Sequence, residues 1–255
     1  MQLPKTESLT PRLVWLDEVG STNDFLRELA AREAELPHFT VIATVSQTAG
    51  RGRLGREWVA PPGKTVAMSI LVRDFEATGL TLGWLPLIAG SAVKQALEQF
   101  LPTQAIGVKW PNDVLVEGMK IAGILSEMQA DGSVIVGIGI NTLLEAAELP
   151  TDRATSLRVL RGAELDTADL TDRLISAVLG ALVEFVQMVD VERTREIVAS
   201  SSSTLGTQVR AHLPNGQVLE GVAVALADDG SLRIALPGTE AAEVVVAAGD
   251  IEHLR

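Results

Sequence analysis

Short apolar runs and helically spaced apolar positions alternate along most of the chain. The short runs predict strands at 12–19, 38–45, 64–72, 105–110, 120–129 and 133–141. Apolar residues at helical spacing predict helices over 21–34, 84–100 and 167–199. Some of the strands follow one another directly, whereas others are separated by helices. This arrangement favours an α+β (mixed α/β) domain, with helices flanking a mixed sheet, over a strict βαβ series.

The pattern changes after the polar stretch at 200–204. Short strands follow, separated by Asn215-Gly216 and Asp229-Gly230, and both dipeptides are strong signals for hairpin turns. A further strand pair around 237–246 completes a small, SH3-like β-barrel. We therefore predict two domains, at 1–203 and 204–255.

Composition excludes several classes of protein. The chain has 255 residues, and its 33 acidic against 21 basic residues give a net charge of -12, which opposes unaided binding to nucleic acid or anionic membranes. The absence of cysteine excludes disulfides, zinc–thiolate sites and thiol nucleophiles. No apolar run has the length of a signal peptide or a membrane span, so we expect a cytoplasmic protein.

A glycine-rich loop, TAGRGRLGREWVAPPG, occupies residues 48–63. Its glycines have the spacing of a dinucleotide-binding loop, but such a loop must lead directly into a helix, and Pro61 and Pro62 would break one. A phosphate-binding Walker loop is excluded because no Gly-Lys-Ser/Thr follows.

The same loop contains three arginines with no acid between them, Arg51, Arg53 and Arg56. Because guanidinium groups match phosphate and carboxylate oxygens, the loop is a candidate anion site in an acidic chain. A solvated surface loop and a nucleic-acid contact are the alternatives.

Two further segments carry polar groups at the ends of predicted elements. In KWPNDVLVEGMKIAG (109–123), Lys109 ends a strand, Asp113 is free to meet a metal or an amine, and Lys120 lies on the next strand. An ordinary strand-end lysine above a proline turn is the alternative. In GSTND (20–24), small polar side chains precede a helix, where Ser21 or Thr22 also suits an N-cap.

Taken in order, the segments GSTN, QTAGRGRLGREW, KWPNDV, KIAGIL, GIGIN and ATSL, with a small barrel behind them, closely resemble biotin protein ligase. The resemblance runs from about residue 12 to the C-terminus, and GRGRxGR with KWPND is its most specific pair. It implies joining of biotin to ATP with Mg²⁺, giving biotinyl-5′-AMP and pyrophosphate. Biotin then passes to a lysine of a carboxylase's biotin carboxyl carrier domain.

The resemblance also implies roles for individual residues. It places around biotin Ser21, Thr22, Asn23, Gln47, Arg51, Gly52, Arg53 and Lys109. It places near the nucleotide Arg56, Trp58, Asn112, Asp113, Lys120 and Asn141. Lys109, Arg53 and Asp113 are the catalytic candidates, and Asp113 is also the candidate base for the acceptor lysine. We expect the phosphates to hold Mg²⁺, with Asp113 as a possible ligand.

Trp58 and four glycines each have two candidate roles. Trp58 suits stacking on a base or anchoring of the loop. Gly118, Gly123, Gly137 and Gly139 suit close approach of a ligand or ordinary turns and packing. The segment 142–155 has no clear period, and in the family the matching stretch folds over the adenylate, so we expect a lid there.

Some family members carry an N-terminal helix-turn-helix, but only 20 residues precede Ser21, so we expect no repressor role and no DNA partner. A lipoate–protein ligase, which performs the same adenylation on a related fold, is one alternative, and a nucleic-acid binder is another. The aromatic-free barrel argues against the latter. The resemblance fits either a monomer or a homodimer.

Overall fold

The computed structural model describes residues 1–33, 35–188, 190–238 and 243–254. The strands of its main domain are β1 (Leu13–Trp15), β2 (Val41–Thr44), β3 (Gly50–Arg51), β4 (Glu57–Trp58), β5 (Thr65–Val72), β6 (Ile106–Lys109), β7 (Asp113–Val116), β8 (Met119–Met128) and β9 (Val134–Asn141). Its helices are α1 (Pro4–Glu7), α2 (Thr22–Arg32), α3 (Leu85–Glu98), α4 (Leu157–Arg161), α5 (Leu170–Gln187) and α6 (Val191–Ser201).

Seven strands form one mixed sheet in the order β1-β2-β5-β9-β8-β7-β6. Strand β1 pairs with β2 in parallel, whereas the other neighbours are antiparallel. Helix α2 covers one face, with Leu26 packed among Ile42, Leu71 and Ile135. Helices α3 and α5 pack together on the other side, and every residue of central strand β5 is buried. The predicted mixed sheet flanked by helices is confirmed.

The structure refines the prediction at two places. The helical pattern at 167–199 corresponds to two helices: α5 ends at Gln187 and α6 begins at Val191, where Asp190 caps it through a bond from the Arg193 backbone N–H to Oδ1 (2.9 Å). Strand β7 was not predicted. It contains only Val114, Leu115 and Val116 as apolar residues between two turns, so its sequence gives a weak periodic signal.

The glycine-rich loop is a hairpin in which Gly50 pairs with Trp58 and Arg51 with Glu57. A single 3₁₀ turn, Arg53–Gly55, forms its tip, and no α-helix follows the glycines, as the proline pair predicted. Leu54 has a φ of 57°, a left-handed conformation that is uncommon for leucine, and its side chain is exposed.

The C-terminal sheet has the order β13-β12-β11-β10-β14 and consists of β10 (Gln208–His212), β11 (Val218–Leu226), β12 (Leu232–Ala235), β13 (Glu243–Val246) and β14 (Asp250–His253). Its pairs are antiparallel, as expected for the predicted small barrel. Gly216 and Gly230 both have a φ of 83°, which explains the two predicted hairpin turns. Part of the third predicted hairpin, residues 239–242, lies outside the described residues.

Hydrogen bonds join the C-terminal sheet to the main domain. The Trp84 indole N–H donates to the Asp228 carbonyl (2.8 Å), and the Trp110 indole N–H donates to the Gly230 carbonyl (3.0 Å). Both indoles are buried, so the β11–β12 turn covers two large apolar groups of the main domain. Among the described helices, none is long and apolar enough to cross a membrane.

Candidate functional site

A narrow cleft with a cavity volume of about 50 Å³ lies where the glycine-rich hairpin folds over β8 and β9. It is lined by Ser21, Thr22, Asn23, Gln47, Arg51, Gly52, Trp58, Ala67, Lys120, Gly123, Ile124, Leu125, Gly137, Ile138 and Gly139. Segments far apart in sequence therefore meet in one cavity, which has polar groups at its α2 end and aliphatic side chains on the sheet.

The start of α2 supplies the first polar wall. Ser21 is the N-cap, and its Oγ accepts from the Asp24 backbone N–H at 3.4 Å, as the capping interpretation predicted. The Thr22 backbone N–H and hydroxyl both lie within hydrogen-bond distance of the Gln47 Oε1, at 2.8 and 3.1 Å. Capping and site formation are thus compatible, because the cap fixes the backbone that carries Thr22 into the cleft.

Both the oxygen and the nitrogen of the Asn23 side-chain amide are hydrogen-bonded. The Ser69 hydroxyl donates to Asn23 Oδ1 (2.6 Å), while Asn23 Nδ2 donates to the Leu125 carbonyl (3.2 Å) and to Glu127 Oε2 (2.7 Å). Asn23 is only 4% exposed, so these partners fix the orientation of its amide. Ser69, from the buried strand β5, also lies 2.8 Å from the Thr22 hydroxyl.

Glycines form the floor of the cleft because side chains from opposite walls occupy the space above them. A Cβ on Gly137 would lie 2.3 Å from Asn23 Oδ1, and one on Gly139 would lie 2.6 Å from the Trp58 ring. A Cβ on Gly123 would contact the Trp58 ring and the Lys120 Nζ at 3.3 Å. Close approach is therefore the role of these three glycines, whereas Gly118 has a φ of 78° and serves a turn.

Trp58 lies across this floor. The half-buried ring packs above Gly139 and anchors the hairpin on the sheet, and it also forms a wall of the cleft. Stacking on a base stays a prediction. The Lys120 ammonium lies 5.8 Å from the centre of the Trp58 ring. The Trp58 Nε1 is buried without a hydrogen-bond partner among the described residues. An unpaired buried donor in a cleft wall suits contact with a polar ligand.

Arg51 does not stand as a free cation beside the cleft. Its Nη2 donates to Asp24 Oδ1 (2.8 Å) and to Glu127 Oε2 (2.9 Å). Arg27 bonds to the same two carboxylates, and its Nη2 lies 3.0 Å from Glu127 Oε2. Two guanidinium groups and two carboxylates thus form a neutral four-residue cluster. The loop has no acid between its arginines, so the carboxylates that pair with Arg51 come from Asp24 in α2 and Glu127 in β8.

Arg53 and Arg56 point towards the C-terminal sheet. The Arg53 Nη1 donates to Asn112 Oδ1 (3.0 Å) and its Nη2 to the Gly249 carbonyl (3.4 Å), while Arg56 pairs with Asp250. Asn112 Nδ2 donates to the Ile124 carbonyl (2.8 Å), so Asn112 anchors Arg53 on the main sheet. Burial lowers the pKa of Arg53, and the nearby carboxylates of Asp250 and Asp113 oppose that shift.

The KWPND segment joins β6 to β7. Lys109 and Asp113 are directly paired across the two strands, and Lys120 Nζ lies 2.6 Å from Asp113 Oδ1. Lys109 has no hydrogen bond or ion pair through Nζ among the described residues. Its pKa is lowered, chiefly by burial, although Asp113 opposes the shift. A half-buried ammonium without a close counterion is favourable for an incoming anion.

Asn141 and the segment after it are braced against the main sheet. Asn141 is buried, and its Nδ2 donates to the Thr155 carbonyl (2.9 Å). The predicted lid, 142–155, is irregular apart from a 3₁₀ turn at Ala146–Glu148. Lys64 pairs with Glu148 (3.2 Å), and the Ser156 hydroxyl donates to the Leu144 carbonyl (2.6 Å). In this state both ends of the segment are anchored.

The structure thus brings together most of the predicted site. Eight of the residues that the sequence predicted for the site line the cleft, namely Ser21, Thr22, Asn23, Gln47, Arg51, Gly52, Trp58 and Lys120. Arg53 and Asn112 line a neighbouring groove towards the C-terminal sheet, and it shares Ile124 and Leu125 with the cleft. The predicted residues outside both linings are Lys109, Asp113, Arg56 and Asn141. The roles assigned to all the predicted site residues, inside and outside these linings, stay predictions.

Sequence reasoning missed Ser69, Glu127 and Arg27. Ser69 is a fully buried polar residue in an apolar strand, and that break in the apolar run was the available signal. Glu127 and Arg27 gave no signal, because charged residues on a strand end or a helix usually face solvent. Among the described residues, no group of three or more His, Asp or Glu side chains is arranged to hold a metal.

Comparison with known proteins agrees with this geometry. A model described as "Biotin/lipoate A/B protein ligase family" matches residues 15–142, and one described as "Biotin protein ligase C terminal domain" matches 204–254. The fold and cleft thus define a ligase-type catalytic domain with an SH3-like domain behind it. The chain belongs to the biotin/lipoate A/B protein ligase family, which confirms the resemblance seen in the motifs.

Individual relatives cover nearly the whole chain. It is 37% identical over 244 residues to a biotin–[acetyl-CoA-carboxylase] ligase of Mycobacterium tuberculosis, covering 93% of this chain and 87% of that protein. It is 34% identical over 237 residues to a bifunctional ligase/repressor of Bacillus subtilis, covering 90% of this chain and 71% of that protein. A solved biotin protein ligase of Aquifex aeolicus, in complex with biotin and ATP, has a TM-score of 0.75 at 29% identity, covering 96% of this chain and 99% of that one.

Proposed function

We propose that the chain is an ATP-dependent biotin protein ligase that forms biotinyl-5′-AMP and transfers biotin to a lysine of a biotin carboxyl carrier domain. The observation that carries this proposal is the single cleft in which GSTN side chains, Gln47, the glycine-rich hairpin and Lys120 meet. Family membership supports a ligase that uses biotin and ATP.

The cleft has the chemistry that the bicyclic ring of biotin requires. A ureido group presents two N–H donors and one carbonyl acceptor, and the α2 end of the cleft offers hydroxyl, amide and backbone groups for both. Ala67, Ile124 and Ile138 supply apolar contact for the rest of the ligand. The polar groups thus fix the orientation of the bound ligand, and the apolar side chains of the sheet cover the rest of its surface.

Adenylation joins two anions, so the protein must position them and screen their charge. A biotin carboxylate oxygen attacks the α-phosphorus, the P–O bond to pyrophosphate breaks, and pyrophosphate leaves with its electron pair. Lys120 lines the cleft. Lys109 is a nearby cation that makes no ion pair among the described residues. Arg51, Arg53 and Arg56 are each held by acceptors that phosphate oxygens can replace.

The donors of the site also fit ATP. The unpaired Trp58 Nε1, the glycine floor and the surrounding cations suit a polyphosphate next to a flat ring. We infer that Mg²⁺ is held mainly by the phosphates and screens their charge. Asp113 Oδ1 already pairs with Lys120, so Oδ2 is the oxygen that we assign to a role as metal ligand or base. Transfer then needs a neutral acceptor amine, which attacks the acyl carbon and expels AMP.

The partner and setting follow from the same chemistry. A carrier lysine on a biotin-dependent carboxylase is the acceptor that suits a biotinyl-adenylate. We further propose a cytoplasmic location, a monomer or homodimer, and no DNA partner. The net charge of -12 supports the last point.

The decisive experiment is pyrophosphate exchange by the purified chain. We expect exchange between labelled pyrophosphate and ATP that depends on biotin and not on lipoate, followed by biotin transfer to an isolated carrier domain. Lipoate-dependent exchange would replace the proposal with lipoate ligation. Absence of exchange with both acids, together with a salt-dependent gel shift, would favour a nucleic-acid binder.

A further inference from the structure

One carboxylate oxygen outside every recognised motif organises the polar end of the cleft. Glu127 Oε2 accepts from Asn23 Nδ2 (2.7 Å), from Arg51 Nη2 (2.9 Å) and from Arg27 Nη2 (3.0 Å). Asn23 and Arg51 line the cleft, and Glu127 does not. Glu127 thus contacts two cleft residues from behind.

The contact with Asn23 separates Glu127 from the other acid of the cluster. Asp24 accepts from Arg51 and Arg27 but makes no hydrogen bond to the Asn23 side chain. The Asn23 amide has two hydrogens, and Glu127 and the Leu125 carbonyl accept them. Its Oδ1 accepts from Ser69 and has a second lone pair for one N–H donor. Without Glu127, the Asn23 amide loses one of its three hydrogen bonds and the shorter of the two that Nδ2 donates.

We propose that Glu127 is a positioning residue of the biotin site. Its Oε2 holds the Asn23 amide so that Oδ1 accepts from a ureido N–H of the ligand, and it holds Arg51 at the edge of the cleft until an anion arrives. Arg27 remains on both carboxylates when Arg51 leaves, so neither acid is left without a cation. This inference rests on the proposed function, because it takes biotin as the ligand.

The test compares Glu127→Ala, Glu127→Gln and Asp24→Asn by calorimetric titration with biotin alone and by exchange kinetics. We expect Glu127→Ala to weaken biotin binding at least tenfold, with a matching rise in the KM for biotin and kcat within threefold of wild type. Glu127→Gln keeps an acceptor of the same shape and should weaken binding less. Asp24→Asn, which removes the acid that contacts Arg51 but not Asn23, should weaken binding less than Glu127→Ala does.

A double-mutant cycle tests whether Glu127 acts through Asn23. If it does, Glu127→Ala added to Asn23→Ala weakens biotin binding by less than threefold beyond Asn23→Ala alone. Independent, multiplying effects would overturn the proposal, as would equal losses in Glu127→Ala and Asp24→Asn. If Glu127→Ala does not fold, a Kd for Glu127→Gln within twofold of wild type overturns it.

The two proposals fail differently. Wild-type protein without biotin-dependent exchange contradicts the ligase function. Active wild-type protein with normal biotin affinity in the Glu127 variants contradicts only the positioning role.

Discussion

The guanidinium of Arg56, in the glycine-rich hairpin, forms an ion pair with the carboxylate of Asp250, in the last strand of the C-terminal sheet. Arg53 donates to the carbonyl of the preceding residue, Gly249 (3.4 Å). The hairpin is thus attached to the C-terminal domain through the two arginines that do not line the cleft. The C-terminal sheet therefore restrains Arg56, which we assign to ATP, and Arg53, which we assign to biotin and to catalysis.

Asp250→Asn should release Arg56 for phosphate. Because the ion pair is partly exposed, we expect a loss of stability below about 1 kcal/mol. The KM for ATP in pyrophosphate exchange should fall two- to fivefold, since the carboxylate no longer competes with phosphate. Glu252→Gln is the matched control, because Glu252 lies on the same strand and pairs with Arg210. A raised or unchanged KM for ATP in Asp250→Asn would argue that the ion pair aligns Arg56.

Lys109 should give exchange activity an alkaline limit. Burial lowers the pKa of Lys109, so its charge is lost at a pH below the ordinary value of about 10.4. In the free enzyme kcat/KM should therefore fall as pH rises through this lowered pKa. Lys109→Ala should lose most adenylate formation while remaining folded. Lys94→Ala is the control, because Lys94 lies on α3 and pairs with Glu98 there, and it should keep adenylate formation.

Through Lys109, the free energy of unfolding should rise with pH, whereas exchange activity should fall. Between the lowered native pKa and the ordinary unfolded pKa, the unfolded chain binds more protons, so the free energy of unfolding rises with pH through this group. Denaturant titrations across that interval, on wild type and Lys109→Ala, isolate the contribution. The assignment fails if both proteins show the same pH dependence of activity and stability.

Gly139→Ala should distort the wall of the cleft. The added Cβ would lie 2.6 Å from the Trp58 ring, so the indole must leave the position that it occupies above the glycine floor. We expect biotin affinity to fall at least tenfold with little change in the melting temperature. Gly180→Ala, within α5, is the control, because its Cβ would meet only Leu9 Cδ1 at 3.8 Å. Normal biotin affinity in Gly139→Ala would exclude this part of the floor from the site.

Segment 142–155 should respond to ligands as a lid. Arg153 is exposed, and it lies between the ion pair of Glu148 with Lys64 and the buried Thr155. We expect limited trypsin digestion to cut the free protein after Arg153, and biotin with ATP and Mg²⁺ to slow this cut at least tenfold. Cleavage at sites outside the segment provides the internal reference. Equal cleavage after Arg153 with and without ligands would show that the segment does not close.

The sequence was sufficient for six of the seven strands of the main sheet, for the small β-domain behind it and for the motif residues that line the cleft. Buried runs such as that of β5 and the turns at Gly216 and Gly230 follow local rules, so they could be read directly. The sequence did not reveal which carboxylates would pair with the arginines of the hairpin. Arg51 meets Glu127 only because β8 passes beneath the hairpin, and Arg56 meets Asp250 only because the C-terminal domain packs there. Contacts of this kind depend on the assembled fold rather than on spacing.

The unpaired indole N–H of Trp58 should make the tryptophan fluorescence of the protein sensitive to a ligand in the cleft. The chain contains four tryptophans and no tyrosine. Trp15, Trp84 and Trp110 each donate their indole N–H to a group of the protein, and Trp84 and Trp110 are 3% exposed. Trp58, with an unpaired N–H in the cleft wall, is the indole whose emission a ligand there should alter most. The protein thus carries its own fluorescent reporter of the cleft, and Trp58→Phe should abolish the ligand-dependent signal while leaving the other three emitters in place.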